Sequence, residues 1–230
     1  MSYKLIIFDL DGTLLDTIGD LADSANIVLE NHNYPTHSEA DYMRMVGAGI
    51  SELVSQMLPE HERSTDRIHY FVEAMEAEYQ NCWDNRSRPY DGIEHVLNVI
   101  TSNGIPMAVL SNKPHPFTVK MVQRLLHKWT FNPVLGAMTD IPRKPDPAGA
   151  KLIAEKYGLT SEECVFVGDS EPDVLTAQNA GMVSVAVSWG FRSAEQLKEL
   201  NPDHLIHHPG ELMEILKLEQ PETKGVLVKS

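Results

Sequence analysis

Two carboxylates stand two residues apart where a hydrophobic run ends, in Ile6-Ile7-Phe8-Asp9-Leu10-Asp11-Gly12-Thr13-Leu14. At that position both side chains can reach one small volume, and Gly12 lets the backbone come close to a ligand. Carboxylates so near each other repel, which favours a divalent cation between them or a raised pKa on one. The plainer alternative is a solvated acidic turn. A second acidic group, Gly168-Asp169-Ser170-Glu171-Pro172-Asp173, follows the apolar Val165-Phe166-Val167. Asp173 falls in the first turn of the next helix, four residues after Asp169, which brings the two side chains to the same end. Two further clusters are weaker. Ser111-Asn112-Lys113 closes the run Ala108-Val109-Leu110 with a hydroxyl, an amide and an amine, and Lys144 precedes a helix opened by Pro147. Taken singly, these read as a strand-closing turn and a surface lysine.

The elements that must carry these residues alternate. Residues 4–8, 106–110, 164–167 and 183–187 read as buried strands, rich in Val, Ile and Leu without polar alternation. Residues 134–138 form a weaker run and 205–206 a short last one. Amphipathic helices fall between them. One carries Ile93, Val96, Leu97 and Ile100 and stops near Gly104; others follow Pro114 and Pro147, and another opens near Glu171 and ends at Gly181. Strand and helix in this rhythm predict an α/β fold, a parallel sheet covered on both faces. Residues 17–85 break the rhythm with three helical stripes and no strand-like run, so an all-helical cap is expected there. The core would comprise residues 1–16 and 86–220, with 221–230 a loosely held tail. In open parallel sheets ligands bind beyond the carboxyl ends of the strands. An insertion at that edge lies over the site.

Composition narrows the partners. The chain has 230 residues with 33 acidic against 19 basic side chains, a net charge of -14. That balance argues against nucleic acid and anionic membrane surfaces. No stretch approaches the roughly 18 apolar residues of a membrane helix. The apolar run before Asp9 is too short for a signal peptide, and Cys82 and Cys164 form no disulfide framework or CxxC pair. A cytoplasmic protein is expected.

The four clusters occur in an order, and around an insertion, that resembles the haloacid dehalogenase superfamily of phosphohydrolases, whose fold is a Rossmann-like core with a cap. The resemblance implies a magnesium-dependent phosphatase acting on a small phosphorylated metabolite through an aspartyl-phosphate. It makes Asp9 the nucleophile and Asp11 the general acid and base. Mg2+ would be held by Asp9 and Asp169 with the carbonyl of Asp11, and Asp173 would support the site. Ser111 and the Asn112 amide would donate to phosphoryl oxygens beside Gly12, with Lys144 neutralising phosphate and Asp9. In the cap, Gly47-Ala48-Gly49 precedes a helix and could present amides to a substrate anion, or be a plain flexible turn. With Ser111-Asn112-Lys113-Pro114 and Trp189-Gly190-Phe191-Arg192, that turn makes the chain most similar to the phosphoglycolate phosphatases.

A pyrophosphatase of the same branch would share every one of these features. A sugar-phosphate phosphatase or phosphomutase is the further alternative, although a mutase needs a cap that returns the intermediate to a second substrate hydroxyl and none of its cap residues is found. A dehalogenase is disfavoured because it lacks the counterpart of Asp11. A phosphonate-cleaving relative needs a cap lysine, and no Lys lies between Thr17 and Arg86. A non-catalytic fold of this type, or a receiver-like phosphate switch, is the alternative of another class. His204, His207 and His208 read as a solvated loop, flanked as they are by Pro202 and Pro209.

Overall fold

The computed structural model describes residues 3–218; the expected tail, 221–230, lies outside them. The chain opens with β1 (Leu5–Phe8) and the two-residue β2 (Leu15–Asp16). Helices α1 (Ile18–Asn31), α2 (Glu39–Met45), α3 (Ile50–Met57) and α4 (Thr65–Cys82) follow, before the short return strand β3 (Arg88–Pro89). The remainder alternates: α5 (Ile93–Ser102), β4 (Met107–Pro114), α6 (His115–Leu125), β5 (Phe131–Ala137), α7 (Ala148–Lys156) and β6 (Cys164–Gly168). It closes with α8 (Glu171–Ala180), β7 (Val183–Val187), α9 (Ala194–Glu199), β8 (His204–Ile206) and α10 (Glu211–Leu216).

Six strands form one parallel sheet in the order β5-β4-β1-β6-β7-β8, the expected Rossmann-like α/β core. Strand β1 is central and all four of its residues are buried. Successive side chains of a strand face opposite ways, and the packing follows that rule. Ile6 and Phe8 join the core shared with α5 and the cap helices, while Leu5 and Ile7 pack with Ala150, Ile153 and Ala177 of α7 and α8. Cys164 is buried and Cys82 half-buried, and both are free thiols.

Two findings differ from the sequence reading. Strand β4 does not stop at Leu110; it runs through Ser111, Asn112 and Lys113 to Pro114, with a register irregularity against β5 after Leu110. The helical segment also holds a further helix, α2, opened by a reciprocal capping box in which Ser38 Oγ accepts from Asp41 N and Asp41 accepts from Ser38 N.

The chain leaves and re-enters the core through β2 and β3, which pair antiparallel. Beside them the buried carboxylate of Asp20 accepts from Arg86 N at 2.9 Å, Ser87 N at 2.8 Å and Ser87 Oγ at 2.7 Å. A carboxylate holding that many donors fixes the two crossings against each other. The helices between them lie over the carboxyl edge of the sheet, with Leu53, Met75 and Tyr79 in the same apolar core as Phe8 and Leu10.

Candidate active site

The sheet supplies most of the charged side chains of the site from the carboxyl ends of its strands and the segments that follow them. Asp9 follows β1, Asp169 follows β6, and Asp173 lies in the first turn of α8. Ser111 and Lys113 are i and i+2 on β4, hence on one face. Lys144 sits in the loop between β5 and α7. Asp9, Asp11, Ser111, Asn112, Lys113, Lys144 and Asp169 line one cleft, of about 710 Å3 including its open mouth. The cap closes it with Val46, Gly47, Gly49, Ile50, Leu53, Met75, Glu76 and Tyr79.

Lys144 is the electrostatic centre. Its Nζ lies 2.8 Å from Asp9 Oδ1 and 2.5 Å from Asp173 Oδ1, with its side chain 3% exposed. Burial alone would lower its pKa, but Asp173 and Asp9 outweigh that and hold the ammonium above its ordinary value. Asn112 fixes this loop: its Oδ1 accepts from Lys144 N at 2.9 Å, and its Nδ2 donates to Lys144 O and to Gly47 O, each at 3.0 Å. One core side chain thereby joins the lysine loop to the cap turn.

Asp9, Asp169 and Asp173 are the only group of His, Cys, Asp or Glu among the described residues with metal-binding proximity; one oxygen of each lies within 4.8 Å of the others. The histidines 204–208 form no such group. Burial pushes the Asp9 carboxyl up to about 7, against the pull of Lys144 and with the push of Asp173 and Asp11. Asp169 is raised well above the ordinary carboxylate range, first by burial and then by Asp173 and Asp9. Asp9 Oδ1 has the Lys144 ion pair but no aligned hydrogen-bond donor. Three buried carboxylates served by one ammonium are under-neutralised, and hard oxygen donors at this spacing fit a magnesium ion. The two oxygens of Asp173 are already engaged, Oδ1 by Lys144 and Oδ2 by Ser170 N and Oγ.

Asp169 is held in place by Thr13 Oγ1 at 3.0 Å and by Phe191 N at 2.8 Å. Gly12, at φ +85, and Gly190 pack against its carboxylate so closely that a Cβ at either position would overlap it. The segment after β7 has a second attachment. The Arg192 guanidinium donates to the carbonyls of Met43 and Val46, the latter at 2.6 Å, at the end of α2. The Gly190–Arg192 stretch thus spans from Asp169 to the turn at Gly47 and Gly49.

The sequence reading named the Lys113 amine within its cluster but gave it no role, and gave none to Tyr79 or Thr13. Lys113 Nζ lies 3.2 Å from each Asp11 carboxylate oxygen and 3.0 Å from Tyr79 Oη on α4. Burial would lower its pKa, and Asp11 and Tyr79 hold it above its ordinary value instead. The signal for Lys113 was available: if Ser111 faces the site from a strand, so must the residue two further on. Tyr79 lay in a helical stripe that reads as plain core.

The pattern of the haloacid dehalogenase-like hydrolases matches residues 6–187. Phosphoglycolate phosphatase from Vibrio cholerae serotype O1 is 32% identical over 224 residues, covering 94% of this chain and 97% of the relative. Among solved structures, a candidate phosphoglycolate phosphatase from Lactobacillus delbrueckii subsp. bulgaricus superposes with TM-score 0.87 at 28% identity, covering 96% of this chain and all of the other. A predicted phosphoglycolate phosphatase from Haemophilus somnus gives 0.84 at 29% identity, covering 94% and 98%.

Proposed function

The chain belongs to the haloacid dehalogenase-like hydrolases and is a phosphatase, and from that premise we propose that it hydrolyses a small phosphomonoester of the phosphoglycolate type through a covalent phosphoryl group on Asp9. The observation that carries this reading is the junction of Lys144 with Asp9 and Asp173 beneath the cap, in a cleft shared with Asp11 and Ser111.

A carboxylate attacking phosphorus divides one difficult displacement into two easier ones. Asp9 is the nucleophile because it is central, buried and paired with the cation that also meets the substrate. Lys144 favours its ionised form against the opposing effect of burial, and can neutralise the incoming phosphoryl oxygens. Asp11 stands beside it, more exposed, where a carboxyl can protonate the departing alkoxide and later take a proton from water. The Ser111 hydroxyl and the Asn112 backbone amide supply donors for the phosphoryl oxygens, preorganised by β4. Gly12, assigned to the phosphate side in the sequence reading, keeps the backbone close against Asp169, where a side chain would not fit. Gly47 and Gly49 of the cap are the further substrate-facing positions in this reading.

Asp9 and Asp169, with the Asp11 carbonyl, would hold Mg2+, which supplies Lewis-acid stabilisation of phosphoryl charge when bound. The saturated hydrogen bonding of Asp173 supports a role in positioning Lys144. Cap residues Ile50, Leu53 and Met75 exclude water from the leaving-group side. No helix among the described residues is long and apolar enough to cross a membrane.

Phosphate release from phosphoglycolate, pyrophosphate, sugar phosphates and nucleotides, with Mg2+ and with EDTA, tests the proposal. Magnesium-dependent turnover highest on phosphoglycolate is expected. Turnover insensitive to EDTA would overturn the metal assignment, and a preference for another class would overturn the substrate.

A further inference from the structure

The cleft holds two buried ammonium groups, and the phosphoryl chemistry at Asp9 uses one. Lys144 faces Asp9 and Asp173. Lys113 stands apart from that pair, with its side chain 5% exposed and its Nζ held by Asp11 and by Tyr79 of the cap. It also lies 4.5 Å from the centroid of the Tyr79 ring. Burying an ammonium costs desolvation that a Met or Leu at this position would avoid. Asp11 is the carboxylate that pairs with it, while Leu21, Ile50, Leu53, Met75 and Phe117 make most of the nearby wall apolar.

The position of Lys113 relative to the chemistry is informative. If Asp11 protonates the leaving oxygen, that oxygen must lie within hydrogen-bond reach of its carboxyl, about 2.6–3.2 Å. Lys113 Nζ is 3.2 Å from both oxygens of the same carboxyl. A group two or three bonds from the ester oxygen therefore comes within reach of the ammonium. Glu76 lines the cleft one helical turn before Tyr79 and would repel an anion extending further.

We propose that Lys113 is a specificity-determining residue that receives a carboxylate on the leaving group, so that the preferred substrates are short phosphomonoesters whose alcohol carries that carboxylate on the adjacent carbon. The inference rests on the phosphatase reading above and adds to it the residue that reads the leaving group. Tyr79 keeps the ammonium aimed when the cap is closed, and the substrate carboxylate takes over a share of its bonds from Asp11.

The test compares phosphoglycolate with its neutral amide, which preserves shape and removes the charge, and adds pyrophosphate as an anion of another kind. Wild type, Lys113→Met and Lys113→Arg are assayed with Mg2+. A charge-assisted contact predicts that wild-type kcat/KM favours the acid over the amide by on the order of 100-fold. In Lys113→Met the ratio should fall to within about threefold of unity, whatever the change in absolute rate; Lys113→Arg should keep most of it. A ratio unchanged in Lys113→Met, or absent in wild type that turns over both esters, overturns the inference and leaves the phosphatase reading standing. A wild-type preference for pyrophosphate that is lost in Lys113→Met overturns the carboxylate in favour of a phosphate. No turnover of any ester by wild type sinks both readings together. Should Lys113→Met fail to fold, inhibition of wild type by glycolate against glycolamide decides: tighter inhibition by the acid supports the inference, and equal inhibition overturns it.

Discussion

Replacing Lys144 by Met removes the only ammonium that the geometry gives to Asp9 and Asp173 while keeping most of the side chain's volume. In the native site its Nζ lies 2.8 Å from one carboxylate and 2.5 Å from the other, and the side chain is 3% exposed. Breaking a buried ion pair from one side leaves an uncompensated charge, at about 3–5 kcal/mol. Here three carboxylates, of Asp9, Asp169 and Asp173, would remain within a few ångströms of one another. Protonation relieves that repulsion, so the cost must depend on pH. The Asp9 carboxyl is already raised to about 7 in the native protein, and loss of Lys144 raises it further. The variant should therefore be little destabilised near pH 5 and most destabilised near pH 8. Urea unfolding in EDTA at those two pH values measures this directly. At pH 8 the expected loss is about 3–5 kcal/mol, or roughly 10 °C in Tm for a chain of this size. Added Mg2+ should return part of it, and kcat should fall by about 10^2–10^3. A loss below about 1 kcal/mol at pH 8, or one equal at both pH values, would refute the electrostatic argument.

The native protein without metal should itself lose stability as pH rises. The Asp9 carboxyl titrates near 3.8 when unperturbed and about 7 in the fold. Between those values the folded state retains a proton that the unfolded state has released, so stability present below the lower value is lost by the upper. The rise in Tm on adding Mg2+ should accordingly be larger at pH 8 than at pH 5; equal shifts would contradict it. Gly190→Ala places a methyl group against Asp169 and the Gly12 carbonyl at an unstrained backbone angle. Its Mg2+ concentration for half-maximal activity should rise about tenfold or more, and an unchanged value would show that Asp169 moves freely. Arg192→Met removes the donors to the Met43 and Val46 carbonyls. KM should rise several-fold with kcat less affected, Arg192→Lys recovering part of it, while an unchanged KM would mean the cap turn is held without Arg192.

Much of the core was legible because buried parallel strands leave a plain mark. Residues 183–187 have the same bounds in sequence and structure, and Gly181 ends α8 at φ +73. Strand β4 was read too short because Ser-Asn-Lys-Pro has the composition of a turn, and its polar residues are strand residues facing a polar site. Pairs as short as β2 and β3 carry no periodicity at all; the contact that defines them is between residues 15 and 89. Helix α2 had a local signal, Ser38 and Asp41 at capping-box spacing, but too few apolar residues to show a stripe. Asp9 and Asp169 were visible as carboxylates ending apolar runs. Lys144 has no such mark, since its loop reaches the site only through Asn112 and the two carboxylates that bind it. Arg192 and Phe191 were noticed as a string, and what they do depends on atoms more than twenty residues away.

The central claim is that Asp9 carries the phosphoryl group during turnover. Asp11→Asn removes the base that activates the hydrolytic water, and an ester whose leaving group departs without a proton needs no acid at Asp11. This variant, mixed with Mg2+ and p-nitrophenyl phosphate and quenched in acid, should therefore accumulate protein heavier by one phosphoryl group. Peptide mass mapping should place the addition on Asp9, and it should vanish in EDTA and in the Asp9→Asn, Asp11→Asn double variant. Phosphorylation at another residue, or Asp9→Asn that still turns over phosphoglycolate at the wild-type rate, would contradict the account.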